Sequence, residues 1–180
     1  MDAFTSAIAF VLPHEEEFAR GHWGDEAFVV PENVAGDNGG VTKYGIDQAS
    51  HPHVDVANLT KEQAVEIYHQ EWLLHRCDLL PPKLAVADFD VWVNGGQASV
   101  WLQEAYNTTH PNATPLKVDG VLGPTSLAAL ASAYQSVILD AFLAERDARF
   151  RTLAAKYPND RQFLSGWLQR DLDLRKFLAS

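Results

Sequence analysis

The sequence predicts a mainly α-helical protein with a small β-hairpin or irregular β segment near residues 27–46. Apolar residues recur at three- and four-residue spacing through most of the chain, which is the period of one helix face. Helix signals bound these stretches, among them a capping-box pattern at Thr60 and Gln63 and a stop at Gly95-Gly96. Strand-like patterns are confined to AFVV and VTKYGI, which are short enough for one small hairpin.

Six helical segments are expected in chain order. They lie within residues 3–18, 59–76, 82–96, 97–107, 123–158 and 160–178. The first places one apolar stripe at helical spacing, formed by Phe4, Ile8, Val11 and Phe18. The fifth is predicted as one long helix from Pro124 to Pro158, and the sixth has a predicted break near Gly166. The Asn-, Thr- and Pro-rich stretch at 107–117 is interpreted as a surface loop.

Composition excludes several classes of protein. The 180-residue chain carries a net charge of −10, which argues against nucleic-acid binding. Membrane insertion is not expected, because no apolar run approaches the roughly 20 residues that span a bilayer. Cys77 is the sole cysteine, so an intrachain disulfide is impossible. The first 17 residues lack a basic flank and a cleavage site, which predicts synthesis in the cytoplasm without a signal peptide.

Glu15 is the acidic residue whose position is most informative. It is followed by Glu16 and Glu17, yet only Glu15 continues the apolar stripe of the first helix. A carboxyl group held against apolar surface resists ionisation, which raises its pKa and suits it to donate a proton near neutral pH. The alternative is that the three glutamates end a helix in a solvated charge run. Pro13, which removes a helix hydrogen bond, is expected to disturb the stripe just before Glu15.

A glycine-rich loop, GDNGGVTKYGID, follows at residues 36–47. Adjacent Gly39 and Gly40 allow close approach of another chain to the backbone. The alternative is a tight turn or hairpin, in which the same glycines serve the backbone alone.

Several stretches together resemble the bacterial and phage muramidases of glycoside hydrolase family 108. They are VLPHEEEF, DNGGVTKYGID, LTKEQAVEIYHQEW and FDVWVNGG. Two later stretches, KVDGVLGPTSLAAL and FLSGWLQR, resemble the peptidoglycan-binding domain that usually follows in that family. The resemblance covers roughly residues 8–175 and implies a lysozyme-like helical fold. It also implies a catalytic region at 1–96 and a helical peptidoglycan-binding-like region at 97–180 packed against it.

The resemblance implies a peptidoglycan hydrolase, an N-acetylmuramidase or lysozyme. Such an enzyme cleaves the β-1,4 bond between N-acetylmuramic acid and N-acetylglucosamine, with Glu15 as general acid. Asp37 is then the expected second carboxylate, Asp25 a weaker candidate for that role, and Thr42 orients water or substrate. Substrate binding is assigned to Gly39, Gly40, Tyr44 and Asn94.

One departure from the family pattern leaves a second function open. The family typically has Glu-Gly-Gly where this chain has Glu15-Glu16-Glu17. Two long acidic side chains in place of glycines would narrow a sugar-binding cleft. The alternative function is therefore a catalytically inactive cell-wall-binding or secretion-assembly module of the same fold. Retention of Glu15 together with Asp37 and Thr42 favours the active enzyme.

A zinc site is the competing chemical interpretation. His51 and His53 lie near Asp55, but no HExxH motif or fixed third ligand accompanies them. No metal and no cofactor are therefore expected. The expected partner is the glycan strand of peptidoglycan, with no nucleic acid, no membrane insertion and a monomeric protein. The site of action is expected to be the cell wall, in the periplasm, after release through a holin or another export route.

Overall fold

The protein is mainly helical, as predicted, with one small hairpin. The structure, a computed structural model, describes the backbone of residues 2–20 and 41–179 and the side chains of residues 2–15 and 41–179. The α-helices are α1 (Ala3–Arg20), α2 (Lys61–Leu74), α3 (Pro82–Val93), α4 (Ala98–Thr109), α5 (Pro124–Ser132), α6 (Gln135–Lys156) and α7 (Leu164–Ala179). The strands β1 (Thr42–Lys43) and β2 (Ile46–Asp47) pair antiparallel. Short 3-10 helices cover Val56–Asn58, Cys77–Leu79 and Pro158–Phe163. The predicted strand AFVV lies outside the described residues.

The chain divides into two compact units. The hairpin unit is Ile8–Leu74, and the helical unit is Met1–Ala7 with His75–Ser180. The helix α1 begins in the helical unit and continues into the hairpin unit. The predicted regions at 1–96 and 97–180 have other boundaries than these units, and that division stays a prediction.

In the hairpin unit, one face of α1 is buried, and Glu15 lies at the end of that face. Phe10, Val11 and Leu12 are almost completely buried. Pro13 lies inside α1 without ending it. The His14 Nδ1 atom donates to the Phe10 carbonyl at 2.7 Å, because a carbonyl oxygen can only accept. The helix therefore passes through the proline and carries Glu15 one turn beyond the buried Val11.

The helix α2 starts as the sequence predicted. The Gln63 side-chain oxygen accepts from the Thr60 backbone N–H at 2.8 Å, and the Thr60 hydroxyl accepts from the Gln63 N–H at 3.3 Å. These reciprocal bonds are a capping box, which satisfies two N–H groups at the helix start. The same helix buries Ala64, Tyr68 and Trp72, which recur at the four-residue spacing of one helix face.

The helix α3 forms the centre of the helical unit. All eight residues from position 84 to 91 are buried, as in a helix surrounded by protein on every side. The predicted stop at Gly95-Gly96 is confirmed: Gly95 has φ +72°. Its N–H donates to Trp92 O, and the Gly96 N–H donates to Val91 O, each at 2.9 Å. This pair of bonds is a Schellman ending.

Two carboxyl groups and the Arg146 guanidinium lie buried where α3, α6 and α7 meet, and the partly buried Arg170 guanidinium joins them. Asp90 Oδ2 lies 2.7 Å from Arg146 Nη1, and Asp90 Oδ1 lies 2.7 Å from Arg170 Nη2. Arg146 Nη1 also lies 2.8 Å from Asp171 Oδ1. Burial opposes the ionisation of Asp90, but Arg170 and Arg146 outweigh it and hold the pKa of Asp90 below its ordinary value. Burial raises the pKa of Asp171 to about 8, although Arg146 favours its charged form.

The predicted long helix after Pro124 is wrong, because the chain forms two helices there. Between α5 and α6 the axis turns by 113°, and Ala133 and Tyr134 are extended. No glycine or proline marks this bend. The helix α6 packs chiefly on α4 and also on α3 and α7, so tertiary packing overrides local helix propensity. The predicted break near Gly166 is also wrong, since α7 runs through it.

A buried glutamine fixes the segment between α4 and α5. The Gln103 side-chain oxygen accepts from the Asp119 and Gly120 N–H groups at 3.1 and 2.9 Å. Its amide donates to Val121 O at 3.0 Å. Asn107 exchanges two further bonds with the Leu116 backbone, at 2.7 and 2.9 Å. The stretch at 107–117 is thus tied to α4 at its end, which agrees with a surface loop.

Seven α-helices lie in the part of the chain that the structure describes. None of these helices has the length and apolar character to cross a bilayer by itself, although the bent pair of α5 and α6 meets the criteria when taken together.

Candidate functional site

The loop quoted from the sequence ends in a two-residue hairpin turn. Thr42 pairs with Asp47, and Lys43 pairs with Ile46. Between them Tyr44 and Gly45 have φ values of +55° and +77°. Two positive φ values in a two-residue loop are the signature of the type I′ turn, whose twist matches that of antiparallel strands. The second half of this loop is therefore a hairpin turn, whereas the alternative of a turn at Gly39-Gly40 falls outside the described residues.

The turn is anchored to α2 by a tyrosine. The Tyr68 hydroxyl donates to the carbonyl oxygen of Tyr44 at 2.8 Å. Tyr68 is almost completely buried. Because the acceptor belongs to the turn backbone, this bond fixes the position of the hairpin relative to α2.

The same turn lies directly against Glu15. A Cβ atom added at Gly45 would stand 2.8 Å from Glu15 Cγ, 2.9 Å from Glu15 Oε2 and 2.7 Å from Tyr68 Oη. Real Cβ atoms do not approach other atoms so closely. The Glu15 and Tyr68 side chains, where they stand, therefore leave room only for glycine at position 45. Three elements, α1, the hairpin and α2, thus converge on one partly buried carboxyl group.

Thr42 lies on the strand that leads into this turn. Its side chain is partly buried, and its hydroxyl makes no hydrogen bond to other residues in the described chain. The opposite residue, Asp47, accepts from the Ser50 N–H at 2.8 Å. Burial raises the pKa of Asp47, but the Ser50 bond and its neighbours outweigh burial and leave that pKa below its ordinary value. The hairpin therefore presents a hydroxyl beside an ionised carboxylate.

The other predicted site residues differ in what the structure says of them. Tyr44 is a turn residue with the Lys43 ammonium 5.7 Å from its ring centre. Asn94 lies in the helical unit beside the Arg170 guanidinium: once its side-chain amide is rotated by 180°, its oxygen accepts from Arg170 Nη2 at 2.8 Å. Its assignment to substrate binding stays a prediction. The remaining four candidates lie outside the described residues: Asp25, Asp37, Gly39 and Gly40.

The residues of the alternative zinc site have structural contacts instead. His51 Nδ1 lies 3.2 Å from the Asp47 carbonyl. Asp55 accepts from Asn58 Nδ2 at 2.9 Å and caps the short 3-10 helix. Within residues 2–20 and 41–179, no three His, Cys, Asp or Glu side chains are grouped so as to hold a metal ion.

Sequence reasoning missed two residues of this site. The helical spacing of α2 indicates that Tyr68 is buried but not that it contacts the hairpin, and the Gly39-Gly40 pair is more conspicuous in the loop than Gly45. A signal for Gly45 was present, because Tyr-Gly between two strand-like pairs suits a turn with positive φ. No local signal identifies Tyr68, since its partner lies 24 residues away.

Two family models match consecutive parts of the chain. Residues 30–96 match the family described as Glycosyl hydrolase 108. Residues 97–172 match the family described as Predicted Peptidoglycan domain. The chain is thus similar to a glycosyl hydrolase 108 region followed by a peptidoglycan domain. This region contains the hairpin and Tyr68, whereas Glu15 precedes the matched residues.

The fold also has a solved counterpart. A structure of SagA from Brucella abortus superposes with a TM-score of 0.68 at 24% identity, covering 97% of this chain and 95% of that one. This likeness shows a shared fold. Among curated proteins, none matches the chain. The family matches support a glycoside hydrolase with a peptidoglycan-hydrolase-like function, as the motifs implied.

Proposed function

We propose that this glycosyl hydrolase 108 chain is a muramidase. It cleaves the β-1,4 bond between N-acetylmuramic acid and N-acetylglucosamine in peptidoglycan, with Glu15 as the general acid. The observation that supports this most strongly is the approach of the Glu15 carboxyl group to the Gly45 turn. Protonation of a glycosidic oxygen requires a carboxyl group held in a fixed position beside the sugar.

In this mechanism Glu15 gives its proton to the leaving oxygen as the glycosidic bond breaks. Asp37 stabilises the oxocarbenium-like transition state or activates the attacking water, and the Thr42 hydroxyl orients that water. The Tyr68 hydroxyl acts through the backbone of Tyr44, so we assign it a positioning role. The remaining assignments, of Gly39, Gly40, Tyr44 and Asn94 to substrate binding, belong to the same proposal.

Replacement of Glu15 tests the proposal. Glu15→Gln keeps the shape of the side chain but removes the acid, so lysis should fall ~10²–10⁴-fold. Activity is measured as the loss of turbidity of cells stripped of their outer membrane. Mass spectrometry of the released fragments identifies which sugar carries the new reducing end.

The neighbouring glutamates provide matched controls. Glu16→Gln and Glu17→Gln remove the same charge from adjacent positions and should keep most of the activity. Retention of more than about half of the activity by Glu15→Gln would contradict its role and make a neighbour the candidate. An inactive wild-type chain that still binds cell walls would instead favour the alternative, a wall-binding or secretion-assembly module.

Kinetics of two further variants test the loop. Thr42→Ala and Asp37→Ala should lower kcat and kcat/KM together, because their interactions form mainly in the transition state. A turn role predicts the reverse, namely a lower melting temperature with normal activity per folded molecule. Both quantities are measured on the same purified variants.

The setting of the reaction follows from the substrate. We propose that the protein acts as a monomer on the cell wall, reached from the cytoplasm through a holin or another export route. Endolysin-like lysis of cells would be the outcome of that release.

A further inference from the structure

A groove of about 600 Å³ opens on the helical unit, and its lining includes Asn94 and the end of α3. It lies between the end of α3, the loop into α4 and the C-terminal half of α6. We call it the α6 groove. The lining residues that matter here are Gly96, Trp101, Arg149, Leu153, Lys156 and Tyr157. Its volume falls in the range of ligand sites.

The inner wall of the α6 groove is tightly built. A Cβ atom added at Gly96 would stand 2.6 Å from Val91 Cγ1 and 3.0 Å from the Trp101 ring. Trp101 is 8% exposed, and the Arg149 guanidinium lies 4.9 Å from its ring centre. Packing and the Schellman ending of α3 thus hold this wall in one shape.

The charges along the groove are neutralised, with one exception. Arg149 lies 2.8 Å from Glu104 and 2.9 Å from Glu145. Lys156 has no carboxylate within 4.0 Å among the residues that the structure describes. Its ammonium lies 5.0 Å from the Tyr157 ring centre, and that ring is 45% exposed. In a chain of net charge −10, an unneutralised cation beside an open aromatic ring indicates an acidic ligand with apolar parts.

We infer that the α6 groove binds the acidic stem peptide of peptidoglycan. A peptide carboxylate pairs with Lys156, and the aliphatic side chains of the peptide lie against Tyr157 and Leu153. In the intact wall the lactyl carboxyl group of N-acetylmuramic acid is bound to the peptide as an amide, so the glycan itself offers Lys156 no carboxylate. The inference rests on the proposed function for its ligand, and it adds a second contact with the wall besides the cleaved sugar.

Binding to purified sacculi tests this site. The Glu15→Gln chain is used so that the wall stays intact, and bound protein is measured after centrifugation. In that background Lys156→Gln should bind about three- to fivefold more weakly, the range of a solvent-exposed ion pair. Tyr157→Ala should weaken binding by a similar factor, about fivefold. Lys61→Gln, an exposed lysine of the hairpin unit, controls for net charge and should bind like its parent.

The wall itself provides the second comparison. Sacculi whose peptide carboxylates have been converted to amides should bind the parent chain several-fold more weakly, whereas an amidase would expose the lactyl carboxylate of N-acetylmuramic acid instead. Equal binding to the amidated sacculi, or unchanged binding by Lys156→Gln and Tyr157→Ala with unaltered melting temperatures, would overturn the inference. Release of reducing ends by the wild-type chain is followed separately. A chain that binds through the groove but cleaves nothing would therefore contradict the hydrolysis and leave the groove supported.

Discussion

At the scale of single residues, Gly45 is the position where backbone geometry and the candidate chemistry meet. Its positive φ forms the hairpin turn, and its missing side chain makes room for Glu15 and Tyr68. Both requirements favour glycine, for independent reasons. Asp88 is the second informative residue, because its carboxyl group is buried with a thiol as its partner.

Gly45→Ala should damage both stability and activity. A left-handed backbone costs an ordinary residue about 1–2 kcal/mol, and the new Cβ would displace Glu15 or Tyr68. We expect a lower melting temperature and loss of most lytic activity per folded molecule. Gly166→Ala is the matched control, since no atom lies within 4 Å of its added Cβ. As a helix-interior glycine it should gain about 0.5–1 kcal/mol on the same change. Equal effects at the two positions would refute the proposed close contact.

Asp88 should make stability depend on pH. Burial raises the pKa of Asp88 to about 7 from an ordinary value of 3.8. The folded state therefore binds more protons than the unfolded state between these values, and the free energy of unfolding falls as pH rises through that window. Asp88→Asn should flatten this fall, measured by urea unfolding from pH 4 to pH 8. Asp171 gives a slope of the same sign, so the difference between wild type and variant isolates Asp88. A constant difference across the range would contradict the prediction.

At the scale of elements, α3 does two things for the helical unit. Its continuous buried surface forms the core, and its Asp90 holds α6 and α7 through their arginines. A charge is tolerated at the centre of this unit because both oxygens of Asp90 have cationic donors. The loop after α4 is held in a similar way, by the buried amide of Gln103.

Removal of Asp90 should be severely destabilising. Asp90→Ala leaves Arg146 and Arg170 without their shared carboxylate, and breaking a buried ion pair on one side costs about 3–5 kcal/mol. Asp140→Ala is the matched control: this side chain is 81% exposed and lies 3.9 Å from Arg175. The control should change stability by less than about 1 kcal/mol. Thermal and urea unfolding measure both, and similar values for the two would show that the network contributes little.

At the scale of the whole molecule, the single cysteine reports on unfolding. Cys77 is completely buried in the helical unit, and burial with the nearby Asp88 raises the pKa of its thiol. Because the chain has one cysteine, a reagent that reacts with thiols can modify it only when the helical unit opens, and each modification reports one such opening.

Labelling of Cys77 by a thiol reagent should be slow in the native protein and should accelerate with urea. Asp90→Ala should label faster in buffer, because it raises the population of open molecules, whereas Asp140→Ala should label like wild type. Rapid stoichiometric labelling of the native wild type would contradict the buried position of the thiol. The readout needs no enzymatic activity, so it is independent of the proposed function.

Many structural features of this protein are determined by its local sequence. The helices, the capping box at Thr60 and Gln63, and the stop at Gly95-Gly96 depend on residues within a few positions of one another, and local patterns predict such features. The family followed from stretches that each carry a recognisable local pattern. Glu15 was selected by helical periodicity, which places it beside a buried face.

Other features depended on distant residues and were decided by tertiary structure alone. The bend between α5 and α6 occurs without glycine or proline because α6 packs on α4. Tyr68 bonds to a hairpin residue 24 positions away in the sequence. Asp90 pairs with arginines that lie 56 and 80 positions after it. Such contacts leave no periodic trace in the sequence. The physical reason is that packing and hydrogen bonds depend on distance in space, whereas local patterns record neighbours along the chain.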